Sequence, residues 1–375
     1  VVAEGRVRTG VRRCDAPSTQ QLVEAILRAA GSDPDIALEV ARHLVRSNLS
    51  GHDSHGVIRV PQYVDRIERG ELAPNARPTF IARTDVTALI DGNRGFGHVA
   101  TAFALEWAMT QARACGLAAA AIRHCTHMGR LGEFTERAAE AGLIAMLTVG
   151  AAGPGVGGMF LHGGKQRFLG ANPWSFGVPA GDRSPMIVDA SSSMIAQGKV
   201  AVARAYGSAL PPGCIYDVEG RPTTDPEDFY NGGGLVPLGG EVAGHKGYGL
   251  ALTSALIGGL SMIDDSHPTL IGASVEPGFE EARGQIAGLF LIVVNPTSFG
   301  KPESYHNMVD DTLSAIKNSP PAPNVAEAMV PGEPEARSRE ERLESGFELP
   351  VDACRQIEAI AERYRVTPPA GWATS

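Results

Sequence analysis

The chain of 375 residues is poor in aromatics, at 6%, and has five cysteines at wide spacings, with no Cys-x-x-Cys among Cys14, Cys115, Cys125, Cys214 and Cys354. An odd count without paired spacing argues against a disulfide framework and against a thiolate zinc site. It fits a reducing compartment, so a cytoplasmic location is expected. No run is long and pure enough to span a membrane, and the start of the chain has charges but no apolar signal core. Basic clusters are confined to Arg6-Val7-Arg8 and Arg12-Arg13 near the start, and the net charge is −9. Such a chain has no bulk attraction for nucleic acid or anionic lipid, and neither is an expected partner.

Two phosphate-binding loops are also missing. The nearest approach to Gly-x-Gly-x-x-Gly is Gly95-Phe96-Gly97-His98-Val99-Ala100. The strand before it reads as ending at Asp91, so the turn is not tight. The next strand ends in Arg123-His124 and lacks the acid that would hold a ribose hydroxyl. An ordinary strand–turn–helix connection fits this better, although Arg123 would suit a ribose 2′-phosphate. Gly244-His245-Lys246-Gly247 lacks the Ser or Thr that a P-loop places after its lysine. Lys246 at an expected helix start reads either as part of an anion site or as a solvated lysine.

What is present is 45 glycines and a chain 43% hydrophobic, enough for a sizeable core and two folding units. Apolar positions at three- and four-residue steps predict helices from a Ser18 cap through Ala29, from Asp35 to Asn48, and from a Ser54 cap to about Gly70. That opening part is expected to contain no strand. Alternation follows: strand Val86–Ile90, helix His98–Cys115, strand Leu117–Ile122, helix Glu133–Glu140 and strand Leu143–Val149. Short strands Phe176–Val178 and Met186–Val188, helices Met194–Ala205 and Lys246–Met262, strand Gln285–Asn295 and a helical tail complete the reading. The prediction is a discontinuous helical domain, residues 1–78 plus 301–375, around an α/β domain of residues 79–300.

Two histidine pairs carry candidate chemistry, His52-Asp53-Ser54-His55 and His124-Cys125-Thr126-His127. One reading is a metal-dependent hydrolase using all four histidines, but His-x-x-His without a nearby His-Glu motif is a weak zinc signal, and no metal is expected. The other reading is proton transfer. On a single helix opened by Ser54, residues His55, Arg59 and Tyr63 lie four apart and form one stripe. A 2-oxo acid suits that set: the Arg59 guanidinium fork for its carboxylate, His55 titrating near neutrality to protonate its carbonyl oxygen, and the Tyr63 phenolic hydroxyl as a further substrate contact. A capped surface helix with a solvated arginine fits the same residues. His127 and Asp189 each follow an apolar strand, where α/β sheets commonly carry sites, so His127 is a candidate second proton carrier or substrate contact and Asp189 a candidate to orient His55 or meet the cofactor. They also read as a loop histidine and a helix cap.

The run Gly51-His52-Asp53-Ser54-His55-Gly56-Val57-Ile58-Arg59-Val60-Pro61-Gln62-Tyr63 strongly resembles the signature of the malate/L-lactate dehydrogenase family. Further matches follow in order at Arg123–Gly129, Leu169–Pro173, Val188–Ser191, Gln197–Val200 and Lys246–Gly249. The resemblance covers nearly the whole chain, from about Ser18 to Arg365. It implies an α/β fold with a mixed sheet that binds NAD or NADP without a Rossmann loop, in a homodimer, and reduction of a small 2-oxo acid or a cyclic imino acid. Carried over by position, it implies His55 as acid/base, Asp189 as its catalytic partner, and Ser54, Arg59 and His127 around the substrate. Cofactor contacts are implied at Met186, Ile187, Val188, Asp189, Ala190, Ser191, Lys246, Gly332 and Glu333. Gly157–His162 and Trp174-Ser175 depart from the family's usual pattern and bear on the substrate.

Overall fold

The chain enters the first of two units as a strand, β1 (Val11–Cys14), where only helices were expected. In the computed structural model, residues 10–205, 207–263 and 286–373 are described. One unit runs to Asn75 and resumes at Pro334; the other spans Ala76–Glu333. The Arg6-Val7-Arg8 cluster and Gln285 lie outside the described residues. β1 pairs antiparallel with Phe347–Pro350, at the far end of the chain. Four residues with two adjacent arginines show no clear alternation, so only the distant partner makes this segment a strand.

Asp15 caps α1 (Ala16–Ala29) by accepting the Ser18 backbone N–H at 2.8 Å, so Ser18 lies inside the helix and does not cap it. Its buried stripe is Leu22, Val23, Ile26 and Leu27. α2 (Pro34–Leu49) follows. The helix expected from Ser54 is broken. Two 3-10 turns, Asp53–His55 and Val57–Arg59, precede α3 (Val60–Glu68), with Gly56 extended between them.

The second unit opens with β2 (Thr79–Arg83), β3 (Thr87–Gly95), α4 (Gly97–Cys115), β4 (Leu117–Cys125), α5 (Gly132–Glu140) and β5 (Ile144–Ala152). Short strands β6 (Met159–Phe160) and β7 (Arg167–Leu169) lead to the antiparallel pair β8 (Trp174–Val178) and β9 (Met186–Ala190). Then come α6 (Gln197–Ala205), β10 (Ile215–Tyr216), β11 (Pro222–Thr223), α7 (Pro226–Tyr230), β12 (Gly234–Leu235), α8 (Gly240–Gly258), β13 (Ile286–Val294) and α9 (Pro302–Lys317). α9, read from the sequence as part of the terminal helical domain, lies in this second unit. The chain then returns through α10 (Glu333–Ser345), β14 (Phe347–Pro350) and α11 (Val351–Arg363).

Among the described residues, twelve strands form one mixed sheet with main order β11-β10-β12-β6-β7-β5-β13-β4-β3-β2, and β8 and β9 extend from β5. Among the described residues, only β3–β4 and β12–β6 pair in parallel. A sheet so largely antiparallel is not the doubly wound parallel sheet of a Rossmann domain. Ala100, Ala104, Ala108 and Ala112 form a buried small-residue stripe on α4, in one cluster with Ala118 and Ala120 of β4. Leu289, Leu291 and Val293 of β13 are fully buried in the same cluster, each worth about 1.5–3 kcal/mol. Among the described residues, no helix is long and apolar enough to cross a membrane.

The β3–α4–β4 crossover contains the Gly95–Ala100 near miss. A methyl group on Gly97 would overlap the Thr126 carbonyl oxygen and the His127 backbone. Close packing of two chain segments therefore accounts for Gly97 without a pyrophosphate.

Candidate active site

In the first unit, the 3-10 turns that carry Ser54 and His55 are built around Asn48, a fully buried residue at the end of α2. Its Oδ1 accepts the Val57 N–H at 2.9 Å, and its Nδ2 donates to Asp53 Oδ1 at 2.8 Å. Asp53 also receives both guanidinium nitrogens of Arg342 on α10, at 2.7 and 3.2 Å. His52 Nε2 lies 3.2 Å from Glu335 Oε1. His52 and Asp53 therefore brace the turn. Sequence reasoning missed Asn48 and Arg342; the one signal was an asparagine at the end of the expected helix Asp35–Asn48, just ahead of the Gly51–Tyr63 run.

Ser54 Oγ and His55 Nδ1 are 3.1 Å apart. Arg59 Nε donates to the Ser54 carbonyl at 2.7 Å, and Arg59 Nη1 donates to Gln62 Oε1 at 3.2 Å. Within the first unit, the described contacts of Arg59 are with neutral acceptors and include no carboxylate. Burial pulls Arg59 below the ordinary guanidinium range, Arg66 adds to this, and Tyr63 opposes it. Tyr63 corrects the expected stripe. It is fully buried in α3, and desolvation raises its phenol against the pull of Arg59 and Arg66. Because the helix starts at Val60, His55 and Tyr63 do not share a helical face, and Tyr63 is core.

The second histidine pair, in the other unit, divides between two jobs. His124 Nδ1 meets Asp91 Oδ2 at 2.8 Å, and Arg123 Nε reaches the same oxygen at 3.3 Å. Arg123 is thus engaged by Asp91. Burial, with the charge of Asp91, pushes the Cys125 thiol up to about 12. His127 sits in the loop between β4 and α5, where its Nδ1 accepts the Gly129 N–H at 3.3 Å. Asp189, at the end of β9, accepts the Gly132 N–H at 2.7 Å and lies 3.6 Å from the buried Arg130 guanidinium. It therefore caps α5, not the helix that follows it in sequence. Among the described residues, no three His, Cys, Asp or Glu groups come together as a metal cluster.

The three stretches expected to contact a cofactor are neighbours in this unit. The Ile187 N–H donates to Pro331 O at 3.2 Å, which sets Met186–Ser191 beside Gly332. The Leu238 N–H donates to Ser192 O at 2.8 Å, and the Gly247 N–H to Leu238 O at 3.2 Å, which brings Lys246 into the group. α8 kinks at Ala243, so Lys246 is exposed in the first turn after the kink. An exposed lysine beside a strand end with Asp189 and Ser191 suits a ligand with both phosphate and hydroxyl groups. Glu333 fits less well: Lys317 holds its carboxylate at 2.8 and 3.0 Å, and it accepts the Val330 N–H. Asn172 ties its loop to Ala151 and Ala251, so the Leu169–Pro173 motif is a structural clasp.

Residues 14–358 match the family described as malate/L-lactate dehydrogenase. The chain belongs to that family. It is 33% identical over 355 residues to hydroxycarboxylate dehydrogenase B of Escherichia coli K12, covering 92% of this chain and 94% of the relative. Among solved structures, malate dehydrogenase of Entamoeba histolytica matches with a TM-score of 0.87 at 25% identity, covering 96% of this chain and 99% of that one. The Δ1-piperideine-2-carboxylate reductase of Pseudomonas syringae matches with a TM-score of 0.77 at 25% identity, covering 93% and 100%. Dehydrogenases of this family use a nicotinamide cofactor.

Proposed function

We propose that this chain reduces a small 2-oxo acid to the 2-hydroxy acid with NADH or NADPH, and catalyses the reverse reaction. The observation that carries the reading is Arg59: a partly desolvated guanidinium with neutral partners in its own unit, four residues from His55 and bonded to the Ser54 carbonyl. A half-buried cation in that state gains from an incoming carboxylate, and a bidentate fork also orients it. In this reading Arg59 holds the substrate carboxylate. His55 gives a proton to the carbonyl oxygen in reduction and takes it back in oxidation. Ser54 holds His55 Nδ1, which directs Nε2 to the substrate. His127 contacts the substrate. The nicotinamide supplies or accepts the hydride when bound. Lys246, Gly332 and residues Met186–Ser191 hold the cofactor, and Glu333 braces that segment through Lys317. A cytoplasmic homodimer belongs to this reading, and the exposed Leu250 and Leu256 of α8 supply apolar surface for pairing.

A cyclic imino acid is the second candidate substrate, supported by the match to the piperideine-carboxylate reductase. It also sets a carboxylate beside a reducible double bond, so Arg59 and His55 keep their roles. The test is a panel of 2-oxo acids and cyclic imines with both cofactors, followed by oxidation of the reduced nicotinamide. With the best substrate, Arg59→Met should raise KM by about 100-fold, the worth of a charge-assisted pair. No nicotinamide oxidation across the panel would sink the proposal.

A further inference from the structure

Arg130 is a guanidinium in the protein interior, 3% exposed, three residues after His127. A buried arginine is costly unless its surroundings compensate it. Here Asp189 Oδ2 lies 3.6 Å from Nε, and Glu136 Oε2 lies 3.8 Å from Nη1. The same Asp189 oxygen accepts the Gly132 N–H at 2.7 Å. Arg130 and Gly132 thus grip one carboxylate from two points on the loop that carries His127. Gly132 is required for this: a Cβ there would lie 2.7 Å from Arg130 Nη2 and 2.9 Å from Asp189 Oδ2. A second link runs alongside, where Thr135 Oγ1 and Ser175 Oγ are 2.6 Å apart and Ser175 is the cross-strand partner of Asp189. At its other end the loop is pinned by the Thr126 N–H on Gly95 O at 3.0 Å. Between the two pins, His127 Nδ1 accepts the Gly129 N–H, which leaves Nε2 to carry the proton of the neutral ring.

We propose that Arg130 is a positioning residue, clamping the His127 loop onto the end of β9 through Asp189 and so setting the position and tautomer of His127. The inference rests on the reading of His127 as a substrate contact. It also assigns Asp189 a role through position: its carboxylate is engaged by Arg130 and the α5 N-terminus, and it supports β9 and the His127 loop together.

The test is a double-mutant cycle of Arg130→Met and His127→Asn, read as kcat and KM for the best 2-oxo acid on folded protein checked by circular dichroism. Arg130→Met should lower kcat/KM by about 100-fold, the effect of a misplacement near 1 Å. In the His127→Asn background the same change should cost no more than about two- to threefold, because its target is already gone. Arg130→Lys, which keeps the charge, should recover part of the loss. A purely structural role would lower activity by the same factor in both backgrounds. Independent multiplication, or an Arg130→Met enzyme with normal kcat/KM, therefore overturns the proposal. If Arg130→Met does not fold, the cycle is run with Arg130→Lys under the same criteria. A silent His127→Asn variant instead removes His127 from the functional reading, and the clamp loses its purpose with it.

Discussion

Asn48→Leu is the sharpest perturbation, because it keeps the shape of a buried side chain and deletes its polar atoms. In the folded chain Asn48 satisfies the Val57 N–H, and Val57 is itself fully buried. Leaving that N–H without a partner costs about 1–3 kcal/mol. The lost bond to Asp53 adds about 1 kcal/mol; Asp53 is partly exposed and keeps Arg342, so water and the guanidinium offset the rest. The sum, about 2–4 kcal/mol, falls on the segment that holds Ser54, His55 and Arg59. Hydrogen exchange at the Val57 amide should speed up by roughly 30-fold or more, since each 1.4 kcal/mol is a factor of ten. Turnover should fall with it, while α11, in the same unit, keeps its protection. Asn48→Asp should lie between, since it can still accept from Val57 but repels Asp53. Unchanged exchange at Val57 together with unchanged turnover in Asn48→Leu would refute the argument that this residue builds the turn.

Other outcomes follow from the same geometry. His55→Ala should reduce kcat by about 10²- to 10⁴-fold, as loss of a general acid does, with cofactor affinity by fluorescence titration nearly unchanged; near-normal turnover removes His55 from the mechanism. Tyr63→Phe should leave the substrate KM within about twofold, whereas Tyr63→Ala should destabilise the chain by about 3–5 kcal/mol as a core cavity does. A large KM effect of Tyr63→Phe would restore the stripe that the buried position of Tyr63 argues against. The Cys125 thiol, raised from 9.0 to about 12, favours the neutral form in the folded chain, whereas the unfolded chain ionises from about pH 9. Its contribution is therefore complete below pH 9 and lost as pH rises toward 12. Cys125→Ala should flatten the fall in stability across that window, measured by urea unfolding at several pH values, and an unaltered slope would contradict it.

Most elements of the second unit were legible because their apolar periods are long and their ends are punctuated. Gly116 stops α4, and Gly142 follows α5 before β5 begins. β1, by contrast, has no period of its own and exists through β14. The helix expected from Ser54 failed because the spacing of Val57, Val60 and Val64 is also compatible with 3-10 turns around a buried amide, and periodicity does not register Asn48. That failure changed the site: it kept Ser54, His55 and Arg59 close in sequence and in space, and it sent Tyr63 to the core.

The sequence by itself determined the family, because ordered motifs along most of the chain are a linear property, and it determined which residue types are available for proton transfer and carboxylate binding. It also argued against a Rossmann loop, since the strand after the Gly95–Ala100 run ends in Arg123-His124 without the acid that would hold a ribose hydroxyl. Tertiary structure alone decided how those residues are held. Arg342 reaches Asp53, Asp91 engages His124, Lys317 holds Glu333, and Arg130 with Gly132 grips Asp189. Most of these partnerships join residues far apart in the chain, and a charged side chain carries no local mark of which opposite charge it will meet. Burial settles that pairing, because a charge withdrawn from water must find its partner wherever the fold brings one.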